Sequence, residues 1–344
     1  MSEEFRAPAA PRAERSRPGG ERLPAASQRT PSGASMGRRR ALGLGASALL
    51  AGAVLSACGG KGQEDAVPSV GAAPGDEAGE EISPVLEGIA EEYGAAMSLA
   101  VFDHDAGTLY RFAPEESSFE ASIVKVPIAL STMRRAAEEG GRLSDLQHDL
   151  IERSVGYSDN LATAELFRLL GVQGEYLSEQ GPEEPGDPAM EEEDARKSSD
   201  YLNETYDLLG VTGTHADGTW GDNETQAADQ VQIMRGIVDG VDWVDPEDMT
   251  FLTGVMTPED ESQNWGVGAM IGDSVGGEAV TDVDVKNGWI QDDTGAWHIN
   301  SVGVVFVDDR AYSAAVISHG FDEQMVGQEA ASEMVRAYFA EKFG

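Results

Sequence analysis

The sequence predicts an α+β domain: a mixed five-stranded antiparallel sheet flanked by helices, with an all-helical lobe inserted between its strands. Three observations carry this. Two strand-like runs, Met97–Phe102 and Leu109–Phe112, stand before the helical stretch, and three more, Val280–Ile290, Ile299–Val307 and Tyr312–Ser318, follow it. Between the two sets the apolar residues recur at helical spacing. Cys58 is the only cysteine, which removes disulfides and Cys-rich zinc sites, so the fold must rest on its hydrophobic core. One sheet built from both ends of the chain is the simplest way to bury both sets of strands.

Residues 1–57 stand apart from the domain. Residues 1–35 are rich in Arg, Pro, Ser and Ala and lack an apolar period, and Met36 stands where an export signal would start, so 1–35 read as an over-called start. Met36-Gly37-Arg38-Arg39-Arg40, the apolar run Ala41–Val54 and Leu55-Ser56-Ala57-Cys58 form a basic region, an apolar region too short to span a bilayer, and a small-residue cleavage site. The last four residues resemble a bacterial lipobox, and the arginine run resembles a twin-arginine export signal. These resemblances imply lipidation at Cys58 and a place on the extracellular face of the cell membrane. Residues 58–82 hold little to bury and read as a flexible tether to a domain spanning 83–344.

The whole chain carries 62 acidic and 24 basic residues, and residues 58–344 keep 58 of the acids but only 15 of the bases. So acidic a surface excludes nucleic acid and anionic membranes as partners, leaving the lipid as the membrane contact.

Along the domain, a first helix is expected over Ser83–Tyr93, then a hairpin with its turn at Asp103–Gly107. A helix follows from Ser122 to about Glu139, ended by Gly140-Gly141. Further helices are expected over Ser144–Ser154, Leu161–Leu170, Ser199–Leu209, Thr225–Val238 and Pro246–Met256, with Glu323–Phe343 closing the chain. Residues 174–194 hold nine acids, no base and three prolines, so 174–197 reads as a solvated, disordered insertion rather than a metal site. Asp308-Asp309-Arg310 is a tight turn between the last two strands.

Ser122-Ile123-Val124-Lys125 draws the chemistry. A hydroxyl and an amine three apart share a helix face. Ser122 stands at a helix N-terminus, where free N–H groups favour developing negative charge. Lys125 is ringed by Ile123, Val124, Val126 and Ile128, a setting that lowers an amine's pKa and makes it a base near neutrality. Alone, Ser-x-x-Lys is a common accident, and Ser122 reads as a simple N-cap. Ser158-Asp159-Asn160 alone is an ordinary turn and cap, Lys286 alone a partner for Asp284, and Trp289 a core aromatic.

Together, Ser122-x-x-Lys125, Ser158-Asp159-Asn160 and Lys286-Asn287-Gly288 resemble, in order and spacing, the serine β-lactamase and penicillin-binding superfamily, especially its class A branch. The resemblance covers roughly 83–343 and implies a serine hydrolase that opens a β-lactam or a D-Ala-D-Ala-like amide of a peptidoglycan stem, as a monomer and without cofactor or metal. By the same resemblance, Ser122 is the nucleophile, Lys125 helps deprotonate it, Ser158 relays a proton to the leaving nitrogen, and Asn160 orients Lys125 and the substrate amide. Lys286 attracts the substrate carboxylate, Asn287 adds a hydrogen bond to it, Gly288 admits the substrate, and the N–H groups of Ser122 and Trp289 form the oxyanion hole.

Two departures stand out. Asn287 replaces the usual Thr or Ser of the third motif. The loop Thr212–Glu224 lacks the class A glutamate that activates the deacylating water, leaving Asp217, Asp222 and Glu224 as candidate bases and His215 as a further one. Two alternatives to β-lactam hydrolysis follow: a slow-deacylating penicillin-binding or D,D-peptidase-like enzyme, and a non-catalytic lipoprotein that keeps the fold to bind peptidoglycan or a partner.

Overall fold

The strands expected at the two ends of the domain do meet in one sheet. The computed structural model describes residues 75–76, 82–171, 191–258 and 260–344. The export segment, Cys58 and most of the tether lie outside the described residues, as does the insertion from 174 to 190. The strands are β1 (Gly75–Asp76), β2 (Ala96–Asp103), β3 (Thr108–Phe112), β4 (Ser117–Phe119), β5 (Glu224–Gln226), β6 (Ser274–Val275), β7 (Glu278–Gln291), β8 (Trp297–Val307) and β9 (Arg310–Phe321). The main sheet runs β1-β3-β2-β9-β8-β7-β6. Its five long strands are those read from the sequence, paired antiparallel throughout.

The two-residue strands at the edges were not foreseen. Gly75–Asp76 belongs to the stretch read as a flexible tether, yet it pairs parallel with Thr108 and Leu109. The free edge of β3 offers unpaired backbone groups that a passing segment can satisfy.

Strand periodicity decides what covers each face of the sheet. Leu99, Val101, Val305 and Val316 point to one side, where helices α1 (Ser83–Tyr93) and α8 (Gln324–Lys342) bury them with Leu86, Met334 and Tyr338. Ala100, Phe102, Val302, Val304 and Ala315 point to the other and pack against the inserted helices. Each fully buried Leu, Val or Phe contributes roughly 1.5–3 kcal/mol of burial, so both faces hold the sheet in place. The inserted helices are α2 (Lys125–Glu138), α3 (Asp145–Ile151), α4 (Asn160–Gly171), α5 (Glu192–Leu209), α6 (Ala227–Asp239) and α7 (Pro246–Met256). Among the described residues no helix is long and apolar enough to cross a membrane.

Helix α5 corrects the disordered reading of residues 192–197. It begins at Glu192, seven residues before the expected start. Glu192, Glu193 and Asp194 fill its first turn, where the helix dipole favours negative charge. Lys197 pairs with Glu193 and Asp194 (3.0 and 3.1 Å), and Ala195 and Ser198 are buried against the lobe. The local acid run is thus a helix start.

Candidate active site

Three elements of the fold converge on Ser122. The chain reaches it through β4, which pairs with β5 and so ties the approach to the loop 212–223. Residues Ala121–Val124 then form a 3-10 turn, and α2 starts at Lys125. In a 3-10 turn residues i and i+3 eclipse, so Ser122 and Lys125 are stacked more directly than the expected α-helix would place them. Ala121, just before Ser122, sits at φ +49°, a left-handed conformation rare for a residue with a Cβ.

Lys125 is fully buried, as are its chain neighbours Ile123, Val124, Val126 and Ile128. Its three donors are all engaged: Nζ donates to Ser158 O (2.8 Å), to Ser158 Oγ (3.1 Å) and to Asn160 Oδ1 (2.7 Å). Burial lowers its pKa to about 7, against the weaker pull of Asp159. In its neutral form the amine keeps two of these N–H donors and has a lone pair with which to accept a proton.

Ser158 stands in the turn before α4 with φ +56°. Its Oγ accepts from both lysines, since Lys286 Nζ also reaches it at 3.1 Å and donates to Asn287 O at 2.9 Å. Asp159 builds this turn. Its Oδ1 accepts from the N–H of Leu161 and Ala162, and its Oδ2 from Arg153. Although burial opposes ionisation, Arg153 and those N–H groups hold the Asp159 carboxyl below the usual carboxylate range. Asn160 is exposed, so its amide N–H groups remain for a partner from solution.

Lys286 lies on β7, opposite Val302 of β8, and is buried. Its pKa falls well below the ordinary lysine value, first by burial and then by repulsion from Lys125. The two ammonium groups therefore compete for charge and titrate as a pair. Asp284 is not its partner: that carboxyl accepts from Thr257 Oγ1 (3.0 Å), and burial pushes it up to about 7.

Gly288 is required by close approach. A Cβ there would lie 2.8 Å from Ser122 N and 2.9 Å from Ile123 N. The backbone of β7 therefore runs directly against the Ser122 turn. Ser122 N–H stands at the start of that turn, where no earlier carbonyl of the turn reaches it. Trp289 follows on β7, half-buried, with its ring 6.1 Å from that of Trp265.

Asn287 departs from its expected place. Its side chain is fully buried and its Nδ2 donates to Gln263 O (3.0 Å), so it ties β7 to the segment 261–266 instead of facing a substrate. Alternation along the strand accounts for this, because Asn287 points to the face opposite Lys286 and Gly288.

The candidate deacylation bases disperse. Asp217, Asp222 and Glu224 are all exposed. Asp222 accepts from Thr219 Oγ1 beside it. His215 is exposed and meets Asn203 at 3.4 Å. Among the described residues none of these groups hydrogen-bonds Ser122, Lys125, Ser158 or Lys286. What the loop sets near the site is Trp220, whose ring centroid lies 5.5 Å from Lys125 Nζ.

Sequence reasoning missed Glu120. Two residues before Ser122, it is fully buried on Tyr206, Asn223 and Gln230, and burial pushes its pKa up to about 7. The available signal was a lone acid between Phe119 and Ala121 in an apolar run.

No family model matches the chain, and no curated protein matches it. Solved structures do. The TLA-1 extended-spectrum β-lactamase superposes with a TM-score of 0.60 at 14% identity, covering 78% of this chain and 100% of that one. A β-lactamase from Chitinophaga pinensis gives 0.57 at 14% identity over 76% of this chain and 99% of that one. The protein PBP-A gives 0.55 at 15% identity over 78% and 98%. The fold is therefore that of the β-lactamases and penicillin-binding proteins.

Proposed function

We propose that the chain is a serine hydrolase that acylates Ser122 with a β-lactam or a D-Ala-D-Ala-like amide. The observation that carries this is the convergence of Lys125 and Lys286 on Ser158 Oγ, each at 3.1 Å, beside the turn that carries the half-buried Ser122. Neutral Lys125 takes the Ser122 proton as Oγ attacks the carbonyl carbon. Ser122 N–H, with Trp289 N–H, receives the charge that develops on the carbonyl oxygen. Ser158 passes a proton from the lysine pair to the leaving nitrogen as the C–N bond breaks. An anionic group on the substrate favours the ammonium form of Lys286, and an ammonium there keeps Lys125 neutral. Substrate binding thereby sharpens the base.

The dispersed acids favour slow release of the acyl group over rapid β-lactam hydrolysis. Both acyl-enzyme readings are separated from a non-catalytic binder by one experiment. A chromogenic cephalosporin is mixed with the purified domain while colour and intact mass are followed. The expected result is a mass adduct that outlasts mixing and is absent in Ser122→Ala. Steady colour release without accumulating adduct indicates an efficient β-lactamase, and the absence of both adduct and colour overturns acylation by β-lactams.

We further propose that a lipid on Cys58 holds the domain outside the cell as a tethered monomer, on the strength of Leu55-Ser56-Ala57-Cys58. Labelled fatty acid should enter the chain and be lost in Cys58→Ala.

A further inference from the structure

Acyl transfer leaves Glu120 without a task. Its carboxyl is 0% exposed and rests on neutral donors. Tyr206 Oη donates to both oxygens (2.9 and 3.1 Å), Gln230 Nε2 to Oε1 (3.1 Å) and Asn223 Nδ2 to Oε2 (3.3 Å). Burying a carboxylate without a cation costs several kcal/mol in general, so this one must be held by what surrounds it.

Its contacts lead to the base. The Glu120 N–H donates to Asn223 O (2.8 Å), so Asn223 is gripped by both the backbone and the side chain of Glu120. The next N–H, of Ala121, donates to Gly221 O (2.6 Å). Asn223 Oδ1 accepts from Asp217 N (3.3 Å) and closes the loop on itself. Within that closed loop stands Trp220, over Lys125.

We propose that Glu120 is a positioning residue: by gripping Asn223 it fixes the loop 217–223 and so keeps the Trp220 ring as a cover over Lys125. The inference rests on the reading of Lys125 as the base of Ser122 and adds how its burial is maintained. The charged and titratable groups facing Lys125 are Lys286 from β7 and Asp159 before α4. Those facing Glu120 are Tyr206 from α5 and Asp229 from α6.

Glu120→Gln cuts the tie selectively. The Gln oxygen can serve Tyr206 and Gln230, but its amide nitrogen then faces the Asn223 amide nitrogen, donor against donor. The sign of the result is diagnostic. Loss of a negative charge alone moves the Lys125 midpoint down, whereas an opened cover lets water in and moves it up.

The measurement is the titration of Lys125 by NMR on protein carrying carbon-13 at the lysine ε position. The chain has five lysines, Lys61, Lys125, Lys197, Lys286 and Lys342, and Lys125→Arg identifies the signal. Wild type should titrate near pH 7. Glu120→Gln, Asn223→Ala and Trp220→Ala should each raise the midpoint, and Glu120→Gln with Trp220→Ala should raise it no further than Trp220→Ala alone. Asn223→Ala reads the same tie if Glu120→Gln does not fold. A midpoint that stays or falls in Glu120→Gln, that ignores Trp220→Ala, or whose shifts add in the double variant overturns the proposal. No substrate is used, so the result stands apart from whether β-lactams acylate Ser122.

Discussion

The two sides of the Ser122 site differ in how they are built. On the side of α4 and β7, side chains converge: two buried lysines meet one serine, and a glycine lets a strand lie against the Ser122 turn. On the side of the loop 212–223, the acids turn to solvent and an indole stands in their stead. The first side carries the groups that the proposed attack on an amide uses. The second lacks a placed carboxylate to activate water. Attack and release are separate chemical demands, and a fold can meet one without the other.

The largest effect after loss of Ser122 itself is expected on the convergent side. Gly288→Ala puts a Cβ 2.8 Å from Ser122 N, on the approach to the proposed oxyanion donor. Acylation should slow by about 10²-fold or more, the scale of losing one such donor. Stopped-flow adduct formation beside a melting curve separates this from unfolding. An unchanged acylation rate would show that the N–H of Ser122 receives no charge.

The dispersed side is tested by supplying what it lacks. Trp220→Glu sets a carboxylate in the place of a ring now 5.5 Å from Lys125. Release of the acyl group should quicken by roughly tenfold, below the 10²–10⁴ of a well-placed base. The same charge raises the Lys125 pKa, so acylation should need a higher pH. Faster release with no upward move of the acylation profile would place the new carboxylate away from the lysine.

The pH profile sharpens the convergent side in wild type. In the proposed mechanism Lys125 acts as the neutral amine, and its pKa is lowered to about 7. The acylation rate should therefore fall below pH 7, approaching about tenfold per pH unit as the amine is protonated, and fall again at higher pH where Lys286 loses its proton. For stability the sign is the same. Between the folded value and the ordinary lysine value the unfolded chain binds more protons, so this group's contribution rises with pH across that window. A rate that is flat down to pH 5 would remove Lys125 from the base role.

Much of the convergent side was legible because its residues are scarce and local. Ser122-x-x-Lys125 is a spacing, and Lys286 is one of five lysines in a chain of 344 residues. The five long strands were legible from alternation, which survives whatever partner a strand takes. What stayed hidden depends on contacts distant in sequence. Glu120 gains meaning from Tyr206, Asn223 and Gln230, which lie 86, 103 and 110 residues away. Strands β4 and β5 are three residues each, too short to show a period. The 3-10 turn at Ser122 read as α-helix because both states suit the same apolar run.

Asn287 carries the smallest expected effect and the finest distinction. The motif position suggests a substrate contact, yet its Nδ2 is given to Gln263 O and its buried Oδ1 has no partner among the described residues. Removing the side chain therefore loses one hydrogen bond and also frees the fold of one unsatisfied acceptor. These terms oppose each other, each on the scale of about 1–3 kcal/mol. Asn287→Ala should shift the melting temperature by no more than a few degrees and change acylation by less than about threefold, since a net cost near 1 kcal/mol moves a domain of this size by roughly 2–4 °C. Adduct formation measured per folded molecule checks it. If acylation weakens tenfold at unchanged stability, Asn287 meets the substrate after all, and the 261–266 segment must then release its amide when substrate binds.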